Sequence, residues 1–234
     1  MLLKGRIRDV YKQMGKAIAD YGMLADGDRI LIGVSGGVDS LVLLKLFQMR
    51  QARIPIKFDI IACFIDTNFI KIKKRALAEY VKSCGVDYVV KKLVIDKDDV
   101  NCFWCSWNRR KLLFQTAKKY NCNKIALGHN LDDTAETMLM NLFYLGEIST
   151  MSPKVNLFKG QITMIRPLCY LDKHLISEVA SNFSFPDTQY QCCYGKDSRR
   201  QFIKELITKV ETNIPFVKKN IVSSLKRIKE EYLV

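Results

Sequence analysis

An α/β domain, a parallel five-stranded sheet with helices on both faces, is the fold the sequence predicts, and three observations predict it. Short apolar runs alternate with stretches of helical period, strand then helix repeatedly, which implies strands buried on both faces. A glycine-rich turn, Val34-Ser35-Gly36-Gly37-Val38-Asp39-Ser40, stands between the first apolar run and the first long helical stretch. The hydrophobic share of 48% in 234 residues is enough for one main core. No apolar run approaches the roughly 20 residues needed to span a bilayer, so the expectation is a protein with no membrane partner.

Residues 1–27 read as a basic helical arm. Arg29 to Val34 (RILIGV) is the first strand, followed by a helix over Ser40 to Gln51. Phe58 to Ile65 (FDIIACFI) and Tyr88 to Leu93 are the second and third strands, separated by a helix over Lys73 to Cys84. A helix over Ser106 to Tyr120 leads to a fourth strand, Lys124 to Leu127, and a helix over Asp132 to Tyr144 leads toward a weaker fifth, Thr163 to Arg166. Beyond about Leu171 strand signals end, and Lys173 to Ser184, Arg200 to Val210 and Phe216 to Tyr232 read as helices. The predicted organisation is therefore an arm over 1–27, an α/β domain over 28–170 and a helical C-terminal region over 171–234. Ligands in such sheets bind beyond the carboxyl ends of the strands.

Lys and Arg number 38 against 24 Asp and Glu, a formal net charge of +14. Such a field attracts polyanions, with nucleic acid the leading class and a lysine-rich solvated surface the alternative. The opening MLLKGRIRDVYK has no apolar run or small-residue cleavage site, so a cytoplasmic address is expected. In a reducing compartment eight cysteines point to metal, catalytic or buried thiols rather than disulfides. Cys63, Cys84, Cys122 and Cys169 sit singly in apolar or helical contexts and read as buried.

The turn at Ser35 to Ser40 has the chemistry of an anion site. Glycines at 36 and 37 let the backbone turn tightly and bring N–H groups close to a phosphate; Ser35, Ser40 and the helix N-terminus add donors. Asp39 in such a nest makes sense when a divalent metal such as Mg²⁺ accompanies a nucleotide. The loop is neither G-x-x-x-x-G-K-[ST] nor G-x-G-x-x-G, so kinase-like and dinucleotide readings lose support. An ordinary Gly-Gly turn with a serine cap is the bland alternative.

The residues SGGVDS resemble the signature of PP-loop ATP pyrophosphatases, which bind ATP, adenylate a carbonyl oxygen and release pyrophosphate on an adenine nucleotide alpha hydrolase-like fold. Further along, CFWCSWNRRKLLFQTAKKYNCNKIALGHNLDD, NLFYLGEISTMSPK and IRPLCYLDK follow the order of motifs in tRNA 2-thiocytidine synthetases and their 2-thiouridine relatives. The absence of further C-x-x-C pairs resembles the 2-thiocytidine type more than relatives with zinc fingers at both ends. The resemblance implies an ATP-dependent tRNA sulfurtransferase with tRNA, a sulfur donor (a cysteine desulfurase or sulfide) and a second copy of the chain as partners. It places Ser35, Gly36, Gly37, Asp39 and Ser40 on ATP, with Gly128 and His129 beside the adenylate and Asp66 as a further nucleotide contact. Asp133 matches a catalytic carboxylate, and Arg109 stands where the family has a catalytic basic residue. For Asp132 the residues alone suggest a helix cap.

The same resemblance implies a [4Fe-4S] cluster on three cysteines, the first two being Cys102 and Cys105. For the third, counting forward from Phe185-Pro186 selects Cys193, and counting back from Arg200-Gln201 selects Cys192. The forward count is preferred and both are kept, because this chain has adjacent cysteines where the family has a second C-x-x-C. Three thiolates leave one iron open, which suits sulfide transfer. Structural zinc, with His129 or His174 completing a set of four, is the main alternative, and a dithiol or persulfide carrier the next. Trp104 and Trp107 read as packing around the cysteines. Other functional readings are a PP-loop enzyme thiolating or dethiolating 2-thiouridine or another substrate, and a nucleotide-gated metal or redox protein without transferase activity.

Overall fold

The computed structural model describes residues 5–67, 70–94, 102–188, 191–192 and 198–232, with the side chains of 102, 103, 191, 192 and 198 left out. A helix α1 (Gly5–Asp20) precedes β1 (Asp28–Gly33), α2 (Val38–Gln51), β2 (Phe58–Thr67), β3 (Ile70–Lys71), α3 (Lys74–Ser83) and β4 (Asp87–Leu93). Then follow α4 (Cys102–Lys119), β5 (Lys124–Ala126), α5 (Leu131–Leu145), β6 (Lys154–Leu157), β7 (Ile162–Ile165) and α6 (Lys173–Ala180). The chain continues through β8 (Gln191–Cys192), α7 (Ser198–Glu211) and α8 (Val217–Ser224).

The main sheet runs β4-β2-β1-β5-β7-β6. Five of its strands are parallel and correspond to the five expected; β6 is an added edge strand antiparallel to β7. Alternation along β1 divides the core. Ile30 and Ile32 face α2, α1 and α6, while Leu31 faces the other side with Ile61, Ile125 and, from α4, Leu113 and Ala117. Helix α2 buries Leu41, Leu43, Leu44, Leu46 and Phe47, each fully removed side chain contributing roughly 1.5–3 kcal/mol. Val10, Met14, Ala17 and Ile18 of α1 belong to the same core cluster. A satellite cluster joins Ala135 of α5 to Ile203 and Ile207 of α7, with Ile221 of α8 packed against it.

Strands β6, β3 and β8 escaped the sequence reading because they are four, two and two residues long and carry no sustained apolar alternation. The last helix is also shorter than expected. Ser223 and Ser224 donate their hydroxyls to the carbonyls of Asn220 and Ile221, competing with the helix ladder where α8 stops, and a short 3-10 turn follows at Glu230–Tyr232. Between β6 and β7 the chain turns with Phe158 and Lys159 both left-handed, at φ 52° and 56°. Such residues cost of order 1–3 kcal/mol each, and here the turn projects Phe158 against Phe114 of α4, ring centroids 5.2 Å apart. At the amino edge of the sheet a buried ion pair, Lys124 Nζ to Asp28 Oδ2 at 2.6 Å, ties β5 to β1. The chemistry-bearing residues gather at the opposite edge.

Candidate functional site

The chain leaves β1 toward β2 on one side and reaches β5 on the other, so the carboxyl ends of β1 and β5 flank the crevice where strand order reverses. A cavity of about 370 Å³ opens there, lined by Ser35, Asp39 and Ser40 from the glycine-rich loop, by Arg109, and by Gly128, His129 and Asp133. Its size lies within the range of small-ligand sites, roughly 300–1,000 Å³.

The loop is held by its own serines. Ser40 Oγ accepts from the Ser35 amide at 3.1 Å and donates to the Gly37 carbonyl at 2.7 Å, and Ser35 Oγ accepts from the Gly37 amide at 3.2 Å. Gly37 is the N-cap of α2 and offers no side-chain acceptor, so the first amides of that helix are turned toward whatever anion arrives. Two glycines are required by close approach. A Cβ on Gly36, at φ +89°, would meet Ile72, and a Cβ on Gly128 would lie 3.1 Å from the Asp39 backbone. Asp39 Oδ1 is buried and has no hydrogen-bond partner. Burial pushes the Asp39 carboxyl up; Lys173 opposes this, and Asp133 and Asp132 add to it. A carboxylate in that position, next to phosphate donors and facing other carboxylates, fits a divalent cation.

The β5–α5 loop supplies the other wall. Asn130 caps α5 and accepts from the Asp133 amide at 3.1 Å, while Asp133 Oδ2 accepts from the Asn130 amide at 3.0 Å. Asp133 Oδ1 accepts from Arg200 at 3.2 Å, so the carboxylate is fixed from both sides. The cap expected of Asp132 thus falls to Asn130 and Asp133; Asp132 instead accepts from the Lys173 amide at 2.8 Å and pairs with Lys218 at 2.8 Å. His129 Nδ1 accepts from Arg166 Nε at 3.3 Å, which leaves the proton on Nε2. Burial first, with Arg166, Arg200 and Arg110 adding and Asp133 opposing, holds the imidazole down to about 4.

The structure therefore brings Ser35, Asp39, Ser40, Arg109, Gly128, His129 and Asp133 to one cavity. Asp66 is the next-to-last residue of β2, and its carboxylate is taken up by Lys74 at 2.7 Å. Cys102 opens α4, and its side chain lies outside the described residues; Cys105 is half-buried one turn before Arg109 on the same helix face. Cys193 lies outside the described residues, as does the side chain of Cys192. The backbone of Cys192 pairs with Ile70 in the two-stranded β3–β8 sheet, and Thr188, just before that strand, donates to the Gly36 carbonyl at 2.8 Å. Helix α4 borders the cavity through Arg109, and Thr188, three residues before β8, holds the glycine-rich loop at Gly36. Cys105, one turn from Arg109 on α4, is a thiolate donor of the kind an iron–sulfur cluster takes.

Cys63, Cys84, Cys122 and Cys169 are all buried, and burial pushes the Cys63 and Cys122 thiols up to about 11 and the Cys169 thiol to about 12. Trp107 departs from its reading as packing: it is 50% exposed. Sequence reasoning missed Arg200 and Cys63, which line the cavity, and Arg166, which sets the His129 tautomer. Arg200 was visible only as a marker after the cysteine pair, and Arg166 only as the end of a weak strand.

A PP-loop domain family matches residues 7–210. The tRNA-cytidine(32) 2-sulfurtransferase of Geotalea uraniireducens is 34% identical over 96% of this chain and 93% of its own length. That of Cupriavidus necator is 36% identical over 94% of this chain and 73% of its own length. In fold, the U34-tRNA thiolase NcsA from Methanococcus maripaludis, solved with its [4Fe-4S] cluster, is similar with a TM-score of 0.77, 22% identity, and coverage of 98% of this chain and 80% of that one.

Proposed function

The chain belongs to the PP-loop family of tRNA-cytidine(32) 2-sulfurtransferases, and from that premise we propose that it adenylates the 2-carbonyl oxygen of a tRNA cytidine with ATP and replaces that oxygen with sulfur. The observation that carries the reading is the convergence of the Ser35–Ser40 loop, Arg109, His129 and Asp133 on one cavity at the switch point, with Cys105 one turn from Arg109 on the same helix.

In this reading the first amides of α2 hold the ATP phosphates, on a loop whose shape the Ser35 and Ser40 hydroxyls fix, with no proton transfer needed. Asp39 holds Mg²⁺, which when bound offsets phosphate charge as pyrophosphate leaves. Arg109 faces the charge that develops on the phosphoryl oxygens. Neutral His129 donates its Nε2–H toward the adenylate side, and Asp133, clamped by Asn130 and Arg200, presents a carboxylate whose direction is fixed before substrate arrives. Cys102, Cys105 and one of Cys192 or Cys193 hold the [4Fe-4S] cluster, which when bound supplies sulfur at the iron lacking a protein thiolate. When sulfur adds to C2, the C2–O bond breaks and the base oxygen departs with AMP. Residues 28–170 carry the nucleotide chemistry, while 171–234 return the third thiolate and Arg200 to it. A cytoplasmic setting, a cysteine desulfurase or sulfide as donor, and a homodimer complete the proposal; exposed Phe143, Leu145 and Ile148 at the end of α5 would suit self-association.

The test uses two variants of the anaerobically reconstituted protein. Asp39→Ala should lose pyrophosphate release by at least about 100-fold, the scale of a lost charge-stabilising group, while keeping its iron. Cys105→Ala should lose iron while still binding ATP. Undiminished pyrophosphate release by Asp39→Ala would overturn the assignment of the loop.

A further inference from the structure

Helix α4 has two working faces. Arg109 and Leu113 point into the nucleotide cavity, whereas Trp107, Arg110, Lys111 and Phe114 line a second cavity of about 620 Å³ on the outer side, closed by Phe158 and Arg166. A third cavity of about 450 Å³ continues from it past Phe114 and Phe158, lined by Gln115, Lys118, Asn121, Asn123 and Gln161. Together they form a groove along α4, at the i, i+4, i+7 and i+11 spacing of Trp107, Lys111, Phe114 and Lys118.

The groove's composition is selective. Among the described residues, none lining either cavity is acidic; Arg110, Lys111, Lys118 and Arg166 are cationic; Trp107 and Phe158 are 50% and 55% exposed. Lys111 Nζ stands 5.4 Å from the centre of the Trp107 ring. The strained Phe158–Lys159 turn holds Phe158 edge-on to Phe114 between the two cavities. Aromatic faces beside cations, followed by a row of side-chain amides, are what unpaired nucleotides require: stacking surfaces, phosphate partners, and groups that read base edges. The groove also has a fixed relation to the reaction centre, because the Arg166 side chain lines it and donates to His129, which lines the nucleotide cavity.

We propose that this groove binds the unpaired nucleotides flanking the target base of the tRNA, with bases stacked on Trp107 and Phe158 and phosphates on Arg110, Lys111 and Lys118. The proposal rests on the reading of tRNA as substrate and adds to it the surface that orients the loop. Arg166 is then a positioning residue shared by the two cavities.

Binding of whole tRNA to the iron-loaded protein, measured by filter retention across a salt series, tests it. Trp107→Ala and, separately, Phe158→Ala should weaken binding about ten-fold, as loss of one stacked base does, with iron content and ATP affinity unchanged. Phe158 is exposed, so its removal does not threaten the fold if Trp107→Ala disturbs the neighbouring cysteines. Lys111→Ala should lower the slope of log affinity against log salt by about one. If wild-type protein binds no tRNA, the functional reading fails and the groove with it. If wild type binds and all three variants match it, the groove alone is overturned. If the variants bind tRNA normally but lose sulfur transfer from a protein donor, the face belongs to that protein and the RNA assignment is wrong.

Discussion

At the scale of single residues, burial decides what His129 can do. An unfolded imidazole titrates near 6.5, whereas in the fold burial, against the opposing pull of Asp133, holds His129 down to about 4. The folded chain therefore binds fewer protons than the unfolded chain between those values. The stability contributed by neutral His129 is complete above about pH 6.5 and is lost as pH falls through about 4. His129→Gln should accordingly flatten the fall of the thermal midpoint between pH 7 and pH 5, read by calorimetry. Parallel curves for the two proteins would show that His129 is not held neutral. The same neutrality lets one ring nitrogen accept from Arg166 while the other keeps its proton for the cavity. Asp39 shows the converse, an ionisable group made costly by burial, with Oδ1 left without a hydrogen bond, a cost that a bound cation removes.

At the scale of elements, the C-terminal helices are clamped onto the first turn of α5 by charge as well as by packing. Lys218 of α8, only 15% exposed at its side chain, bridges Asp132 of α5 at 2.8 Å and Glu211 of α7 at 2.9 Å. Burial alone would lower the Lys218 ammonium, but the hydrogen bonds to Asp132 and Glu211 outweigh it and raise it. Removing one member of a partly buried set leaves its partners uncompensated, so Lys218→Ala should cost about 1–3 kcal/mol, discounted from the fully buried case because Glu211 is more exposed. Hydrogen exchange of α8 amides should rise with it; unchanged exchange and an unchanged melting midpoint would mean the clamp is ornamental. The Ser35–Ser40 loop could be read from sequence because its chemistry is local, strand, turn and helix start within a few positions. Arg200 and Arg166 could not, because they reach Asp133 and His129 across 67 and 37 residues. Trp107 failed for a related reason: Arg110 and Lys111 stand close to it in sequence, but Phe158 and Arg166, which complete its groove, lie more than 50 residues away. Strands β3 and β8 exist only as each other's partner, so no window of sequence announces either.

For the whole molecule, the fold brings together three things separate in sequence: a glycine-rich loop after β1, a carboxylate and imidazole after β5, and Arg109 of the helix that begins with Cys102. The net charge of +14 provides long-range attraction for a polyanion, and the α4 groove gives that attraction a place to end. The central claim is that this assembly exchanges a base oxygen for sulfur at the expense of ATP. It is tested most directly by incubating the anaerobically reconstituted protein with unmodified tRNA, MgATP and sulfide, then digesting the tRNA and identifying its nucleosides by mass spectrometry alongside AMP and pyrophosphate. 2-Thiocytidine is expected, with one AMP and one pyrophosphate released per thionucleoside, and none from iron-free protein. Release of AMP and pyrophosphate with the tRNA left unthiolated, or equal thiolation by iron-free protein, would contradict it.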